Sequence, residues 1–363
     1  MQLLQRRAPF VAASRTSAAA RTRRAATTTA AALAHPAASA GSGMSEAGAR
    51  RKGAILGAIV ADAATMPLHW VYKPEVMADL LKSKGRESTP EFYDPPSCPF
   101  YQMPLGTLSP YGAEVAALLG YMDARGPARG VEGSSWAACL ASYFTDTYPG
   151  YRNKSVKTLI TNLEAGQAYP ACGDPTDTQA NMLCKLPPVV ARFAGSPEQL
   201  APAVEAAVRA QQAGDEAVEY GLAAAKILEK VVLGDTVKEA MDWAASAPEI
   251  PERVRGLVSA AAAAADGPEP FLKVATGFGV ACSMPGALQG ALAAARRAGA
   301  DFEGGVRANL LAGGDNCSRG CYVGALLGAA AGGAPAGWVA KVAGGEGYEA
   351  AAQRVAEAGA AQQ

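Results

Sequence analysis

Apolar and polar positions along this chain follow helical spacing almost throughout, and nowhere do they show the strict alternation of a half-buried strand. Gly53 to His69, GAILGAIVADAATMPLH, is continuously apolar except for Asp62, which predicts a buried helix ending near Pro67. A second helix opens at Ser109, where Ser and Pro make a good N-cap and first position for SPYGAEVAALLGYM. Helices follow over 134–146 and 154–168, then from about Thr178 with an interruption at Pro187 and Pro188. Further helices are predicted over 198–213, 215–233, 236–246 and 251–265, from Phe271 through Arg297, and from Asp301 to Ala312. Between 73 and 108 the pattern becomes irregular, rich in proline and aromatics, as in long ordered loops that line sites. The prediction is an all-α protein with one compact domain over 46–345 and a frayed Ala/Gly-rich tail over 346–363.

The last predicted helix carries the densest chemistry, in GGDNCSRGCYVGALLGA over 313–329. Gly313 and Gly314 suit a sharp turn, and Asp315, Asn316 or Ser318 can cap the helix that follows. Gly320, Gly324, Gly328 and Gly332 then recur every fourth residue, leaving bare backbone along one stripe for a neighbouring helix to approach. A helix start of this kind attracts anions, and Arg319 adds a cation for a phosphate. Asp62 is a lone acid in an apolar helix and needs a cation, a metal or backbone donors. His69 lies two turns further on and can face the same cavity. Tyr111 and Glu114 fall on the first turn of the Ser109 helix. Asp177, Thr178 and Gln179 read either as loop-edge ligands or as an ordinary helix cap.

Composition narrows the classes. Half of the 363 residues are hydrophobic and the formal charge is zero, with no basic block in the body, so a nucleic-acid partner is unsupported. Residues 1–45 hold Arg6, Arg7, Arg15, Arg21, Arg23 and Arg24, many Ala, Ser and Thr, and no acid, the pattern of a transit peptide to a plastid, which we prefer, or a mitochondrion. An unstructured Ala-rich tail and translation from Met44 are the alternatives. Apolar runs are too short for a membrane span. The seven cysteines, at 98, 139, 172, 184, 282, 317 and 321, are odd in number and irregularly spaced, which argues for reduced thiols and against zinc-finger pairs.

In order, GAILGAIVADAATMPLH, GTLSPYGAEVAALL and FEGGVRANLLAGGDNCSRGCYVGALLGA resemble the ADP-ribosylglycohydrolase family, nearest to its branch of J-type crystallins and selenoprotein J. The resemblance implies a single compact orthogonal helical bundle, a two-magnesium site, and hydrolysis of a glycosidic bond to ADP-ribose or a related nucleotide, on a free nucleotide or an ADP-ribosylated substrate. The family pattern places a glutamate where this chain has His69. Its Thr-Asp-Asp-Thr quartet becomes Ser109, Pro110, Tyr111 and Gly112, and its closing Asp-Thr-Asp-Thr becomes Asp315, Asn316, Cys317 and Ser318.

Of the expected ligand carboxylates only Asp315 remains, with the hydroxyls of Ser109 and Ser318, so the usual magnesium site should be absent or very weak. The catalytic candidates are Asp315, His69 and Cys317, the thiol activated at a helix start with His69 as base. Asp62, Tyr111, Glu114, Arg319 and Ser318 are the candidates for substrate binding, and Asp315, Ser109 and Ser318 for any metal. Thiolate and imidazole would suit zinc better than magnesium. A hydrolase is the leading expectation; the alternatives are an inactive nucleotide-binding module and a crystallin-like structural protein.

Overall fold

The computed structural model describes residues 44–127 and 129–361, so nearly all of the leader expected over 1–45 lies outside the described residues. Among the described residues the chain is all-α, with isolated bridges but no strand. Its first half runs α1 (Glu46–Thr65), α2 (Pro74–Ser83), α3 (Pro110–Arg125), α4 (Gly133–Ser142), α5 (Lys154–Glu164), α6 (Asn181–Phe193), α7 (Pro197–Arg209) and α8 (Asp215–Leu233). Its second half runs α9 (Val237–Ala244), α10 (Glu252–Asp266), α11 (Phe271–Phe278), α12 (Gly286–Ala298), α13 (Phe302–Leu311), α14 (Asn316–Ala331), α15 (Ala336–Val339) and α16 (Gly345–Ala360).

The centre is an antiparallel pair, α1 against α14. Gly53 faces Gly328 and Gly57 faces Gly324, so closely that a Cβ at any of the four would overlap a carbonyl oxygen of the other helix. Backbone contact of this kind gains dispersion along both helices and requires small residues at the crossing. Gly320 instead faces Thr65 and Asn309, and Gly332 ends α14 in the left-handed conformation. Helices α3, α6, α8, α12, α13 and α16 pack around this pair, which is why α14 is buried along nearly its whole length.

Three segments differ from the sequence pattern. Pro187 and Pro188 do not interrupt their helix: α6 continues through them, with all of its residues buried against neighbours that hold the backbone in place. The single apolar stretch from Phe271 to Arg297 is two helices, because Gly279 at positive φ ends α11 and Pro285 precedes α12. The expected tail is also corrected. Residues 345–360 form α16, which lays Ala352, Val355, Ala356 and Gly359 on the core. Small side chains there signal close packing: Arg51, on α1, reaches the carbonyls of Ala191 and Ala194 at 2.8 Å each beside Gly359.

Candidate functional site

At the end of α1 the chain tightens through Met66–Leu68 and presents His69 and Trp70 to the Gly313–Gly314 turn. The Trp70 amide donates to Gly314 O at 2.8 Å and the Gly314 amide donates to Val71 O at 2.9 Å. Trp70 takes a φ of 60°, a left-handed conformation that costs about 1–3 kcal/mol for a residue with a Cβ and persists where surrounding contacts over-determine it. Gly313 and Gly314 also have positive φ, and Asp315 N donates to Val280 O at 2.7 Å. Two distant segments, at 69–71 and at Val280, therefore meet the turn at Asp315.

Asp315 is fully buried and is the N-cap of α14, accepting from Ser318 N at 3.2 Å on Oδ1. The same oxygen is 3.0 Å from His69 Nε2. Oδ2 accepts from Trp70 Nε1 at 3.0 Å and from the Tyr111 hydroxyl at 2.8 Å. Burial alone would raise its pKa, but the nearby His69 and the donors of His69, Trp70 and Tyr111 prevail and hold it well below the ordinary carboxylate range. With Asp315 ionised, His69 Nε2 carries the proton. Nδ1, on the other side of the ring, lies 2.7 Å from the Tyr101 hydroxyl. His69 is itself fully buried, with both ring nitrogens engaged.

The remaining sequence candidates have other occupations. Asp62 holds the start of α3, accepting from Ser109 N at 2.8 Å and Ser109 Oγ at 2.5 Å. Burial pushes its pKa up to about 6 against these hydrogen bonds. Ser109 Oγ in turn accepts from Tyr111 N at 3.1 Å and serves as the N-cap, so it faces Asp62 and its own helix. Glu114 lies in a closed network, paired with Lys185 and accepting amide donors from Asn153, Asn181 and Gln211 at 2.8, 2.7 and 2.9 Å. Ser318 Oγ turns back to Asp315 O at 3.2 Å.

Two corrections concern charge and reactivity. Arg319 does not stand ready for a phosphate: its guanidinium donates to Asn309 Oδ1 at 3.1 Å, Val280 O at 2.9 Å and Gly313 O at 2.7 Å. Burial lowers its pKa to about 10 while Asp315 pulls the other way, so it is a clamp on the turn and a countercharge behind Asp315. Cys317 is not an activated thiol. Its sulfur is fully buried, 3.4 Å from Thr65 Oγ1, and burial drives its pKa well above the usual value. The helix start that was to lower it is already occupied by Asp315.

Above this buried floor opens a cleft of about 280 Å³, lined by Trp70, Tyr72, Phe100, Tyr111 and Tyr151, with Asn153, Lys154, Gln179 and Cys282 among the other walls. Phe100 is 64% exposed, Tyr72 45% and Tyr151 37%, an exposure that large apolar side chains tolerate where something is to be bound. Trp70 organises the walls: its ring stacks on His69 at 4.2 Å and meets Phe100, Tyr101 and Tyr151 edge-on at 5.3, 5.6 and 5.1 Å. Sequence reasoning missed Tyr101, Tyr151 and the donor role of Trp70. The signal present was the aromatic density of the 73–108 loop and of YPGYRN, without any way to assign contacts. A larger hollow of about 620 Å³ lies between the start of α1 and α15–α16, away from all of these groups.

The ADP-ribosylglycohydrolase family model matches residues 43–363, the described domain in full. The chain belongs to the ADP-ribosylglycohydrolase family. Crystallin J1A of Tripedalia cystophora is similar to this member, 28% identical over 313 residues that span 80% of this chain and 91% of the crystallin. Crystallin J1B of the same organism is 27% identical over 326 residues, with the same coverage. A solved structure described as an ADP-ribosylglycohydrolase-related protein complex shares the fold, with a TM-score of 0.61, 23% identity, and coverage of 86% of this chain and 99% of that one. Within the family framework, a Cβ at Gly112, in the quartet position, would overlap the Asp62 carboxylate. Among the described residues no three His, Cys, Asp or Glu side chains are grouped as a metal-binding set, and no helix is long and apolar enough to cross a membrane.

Proposed function

We propose that this family member binds a nucleotide-related ligand through its planar ring and does not hydrolyse it by two-magnesium chemistry. The observation that carries this reading is the state of Asp315, whose two carboxylate oxygens are filled by His69, Trp70, Tyr111 and the Ser318 amide. Magnesium needs several hard oxygens in a near-octahedral array. Here the one remaining expected carboxylate is occupied, the hydroxyls of Ser109 and Ser318 are turned to protein partners, and Gly112 has no room to become a ligand. The residues do not fit the family's metal pair, and protein donors with the Arg319 charge compensate Asp315 in its place.

His69 and Asp315 do form the contact that an acid–base dyad would need, which favours hydrolysis as a second reading. Both ring nitrogens of His69 are engaged within the protein, however, and neither is free to take a proton from water. The aromatic cleft beside them supports binding by stacking instead.

Calorimetric titration of ADP-ribose into the full chain, with and without magnesium, tests the reading. Binding that is indifferent to magnesium, with no products on prolonged incubation, is the expected result. Magnesium-dependent binding or turnover overturns it in favour of the hydrolase, and no binding in either condition favours a structural role like that named for the crystallin relatives.

A further inference from the structure

The one formal charge among the described lining residues of the aromatic cleft is the cation Lys154, the first residue of α5, whose side chain is 58% exposed. Its Nζ lies 3.1 Å from Asp174 Oδ2 and 3.5 Å from Thr176 Oγ1. That pairing does not use the ammonium up. Asp174 also accepts from Thr176 N at 2.9 Å, Thr176 Oγ1 at 3.0 Å, Asp177 N at 3.1 Å and Thr158 Oγ1 at 3.1 Å. Burial raises the Asp174 pKa, but these donors prevail, the Thr176 amide ahead of Lys154. An ammonium has three N–H bonds, so Lys154 can serve a second anion while Asp174 stays satisfied. No acid lines the cleft beside it. Asp177, 4% exposed, turns Oδ1 to Gln179 N and Gln212 Nε2 at 2.9 and 2.8 Å, and its unpartnered Oδ2 is sealed from solvent.

The same lysine belongs to a second hollow. A depression of about 400 Å³ adjoins the cleft and shares Tyr151 and Lys154 with it, and Lys157, Thr158, Thr161 and Asn162 complete its lining, which holds no acid. Lys157, one turn further along α5, is exposed, and its Nζ stands 5.0 Å from the centroid of the Tyr151 ring. Residues three apart share a helix face, so both ammonium groups border the Tyr151 wall from α5. The start of α5, capped by Asn153, adds the positive end of its dipole to the same rim. The inner end of the cleft is the reverse. Its floor is the Asp315 carboxylate, and the Arg319 guanidinium behind it is already taken by Asn309, Val280 and Gly313. An anion entering with a ring is therefore repelled inward and attracted outward.

We propose that the ligand of this cleft carries a phosphate-type anion beside its ring, and that the anion lies outward past Tyr151, on Lys154 and Lys157, and not inward at the start of α14. This rests on the cleft being a binding site and adds the orientation of the ligand and a cation pair as its second subsite. Lys154, which borders both hollows, is the specificity-determining residue, and Lys157 supplies the second charge. The cleft volume of about 280 Å³ suits a single ring, which leaves the anion to the adjoining hollow.

The probes are phenyl phosphate, phenol as the ring alone and inorganic phosphate as the anion alone, titrated by calorimetry into the full chain and into Lys154→Met, Lys157→Met and the double variant. Phenyl phosphate should bind the native protein about tenfold more tightly than either of the other two, an advantage that shrinks in high salt. Lys154→Met should remove most of that advantage, Lys157→Met part of it and the double variant all of it, with phenol binding unchanged throughout. Should the double variant lose phenol binding as well, the native preference and its salt dependence decide without it. Phenyl phosphate binding no tighter than phenol, or a preference that survives in the double variant, overturns the assignment. If ADP-ribose binds equally well with and without the two lysines, the binding function stands and this inference falls; if neither ADP-ribose nor phenyl phosphate binds, both fall.

Discussion

Trp70 donates its indole N–H to Asp315 at 3.0 Å and is also one of the walls of the cleft. One side chain thus joins a buried carboxylate to the wall of a surface cleft.

Trp70→Phe keeps an aromatic wall and removes the donor. A hydrogen bond to a charged group contributes about 1.5–3 kcal/mol, so the variant should lose about 2 kcal/mol of stability in denaturant titrations and retain ligand binding within a few-fold. Trp70→Ala should lose both. Equal binding by the two variants would show that the ring face is not part of the site.

Asp315 and Asp62 predict opposite responses to pH. The depressed pKa of Asp315 gives stability that is present above the unfolded carboxylate value of about 3.9 and is lost as pH falls below it. Asp62, raised to about 6, makes the folded state hold a proton that the unfolded chain releases, so stability should fall as pH rises from about 4 to 6 and level off above. Asp62→Asn should remove that slope, worth about 3 kcal/mol, in denaturation curves collected across this range. A flat profile in the native protein would refute the Asp62 assignment.

Breaking the Glu114–Lys185 pair leaves one buried charge alone. Glu114→Gln or Lys185→Met should each cost about 3–5 kcal/mol, and the double variant should recover much of the loss. A folded Glu114→Gln protein that had lost ligand affinity without losing stability would instead restore Glu114 to the binding site.

Cys317→Ala should cost on the order of 1 kcal/mol and leave ligand binding unchanged, since the thiol fills space beside Thr65. Native protein should also resist alkylation at this sulfur, read by mass spectrometry. Rapid labelling of Cys317 would contradict its burial.

The helix-level architecture was largely legible because apolar spacing, Ser109, Asp315 and the glycine stripe each act through local rules. The spacing of Gly324 and Gly328 announced a close helix approach, although only the structure identifies Gly53 and Gly57 as its partners. Residues 345–360 misled because alanine and glycine report packing only when the surface they meet is known. The site was partly legible: His69, Tyr111 and Asp315 do come together. Glu114, Cys317 and Arg319 were misread because no spacing rule connects them to what engages them: Lys185 pairs with Glu114 and Thr65 faces Cys317 from distant segments, and the Arg319 guanidinium donates to Asn309, Val280 and Gly313. The orphaned oxygen of Asp177 is likewise a property of what fails to reach it.

The α1–α14 crossing has a consequence for biosynthesis. His69 and Asp315 are 246 residues apart, and at translation rates of about 5–20 residues per second α1 leaves the ribosome roughly 12–50 s before its partner helix exists. Throughout that interval the bare glycine face at Gly53 and Gly57 has nothing to close against. Of the two central helices α1 thus waits longest for its partner, and the Asp315 floor of the cleft assembles among the last features of the protein. Ligand binding consequently reports completion of the whole chain, and a truncation that removes α14 should yield a product without a site and open to proteolysis from α1 onward.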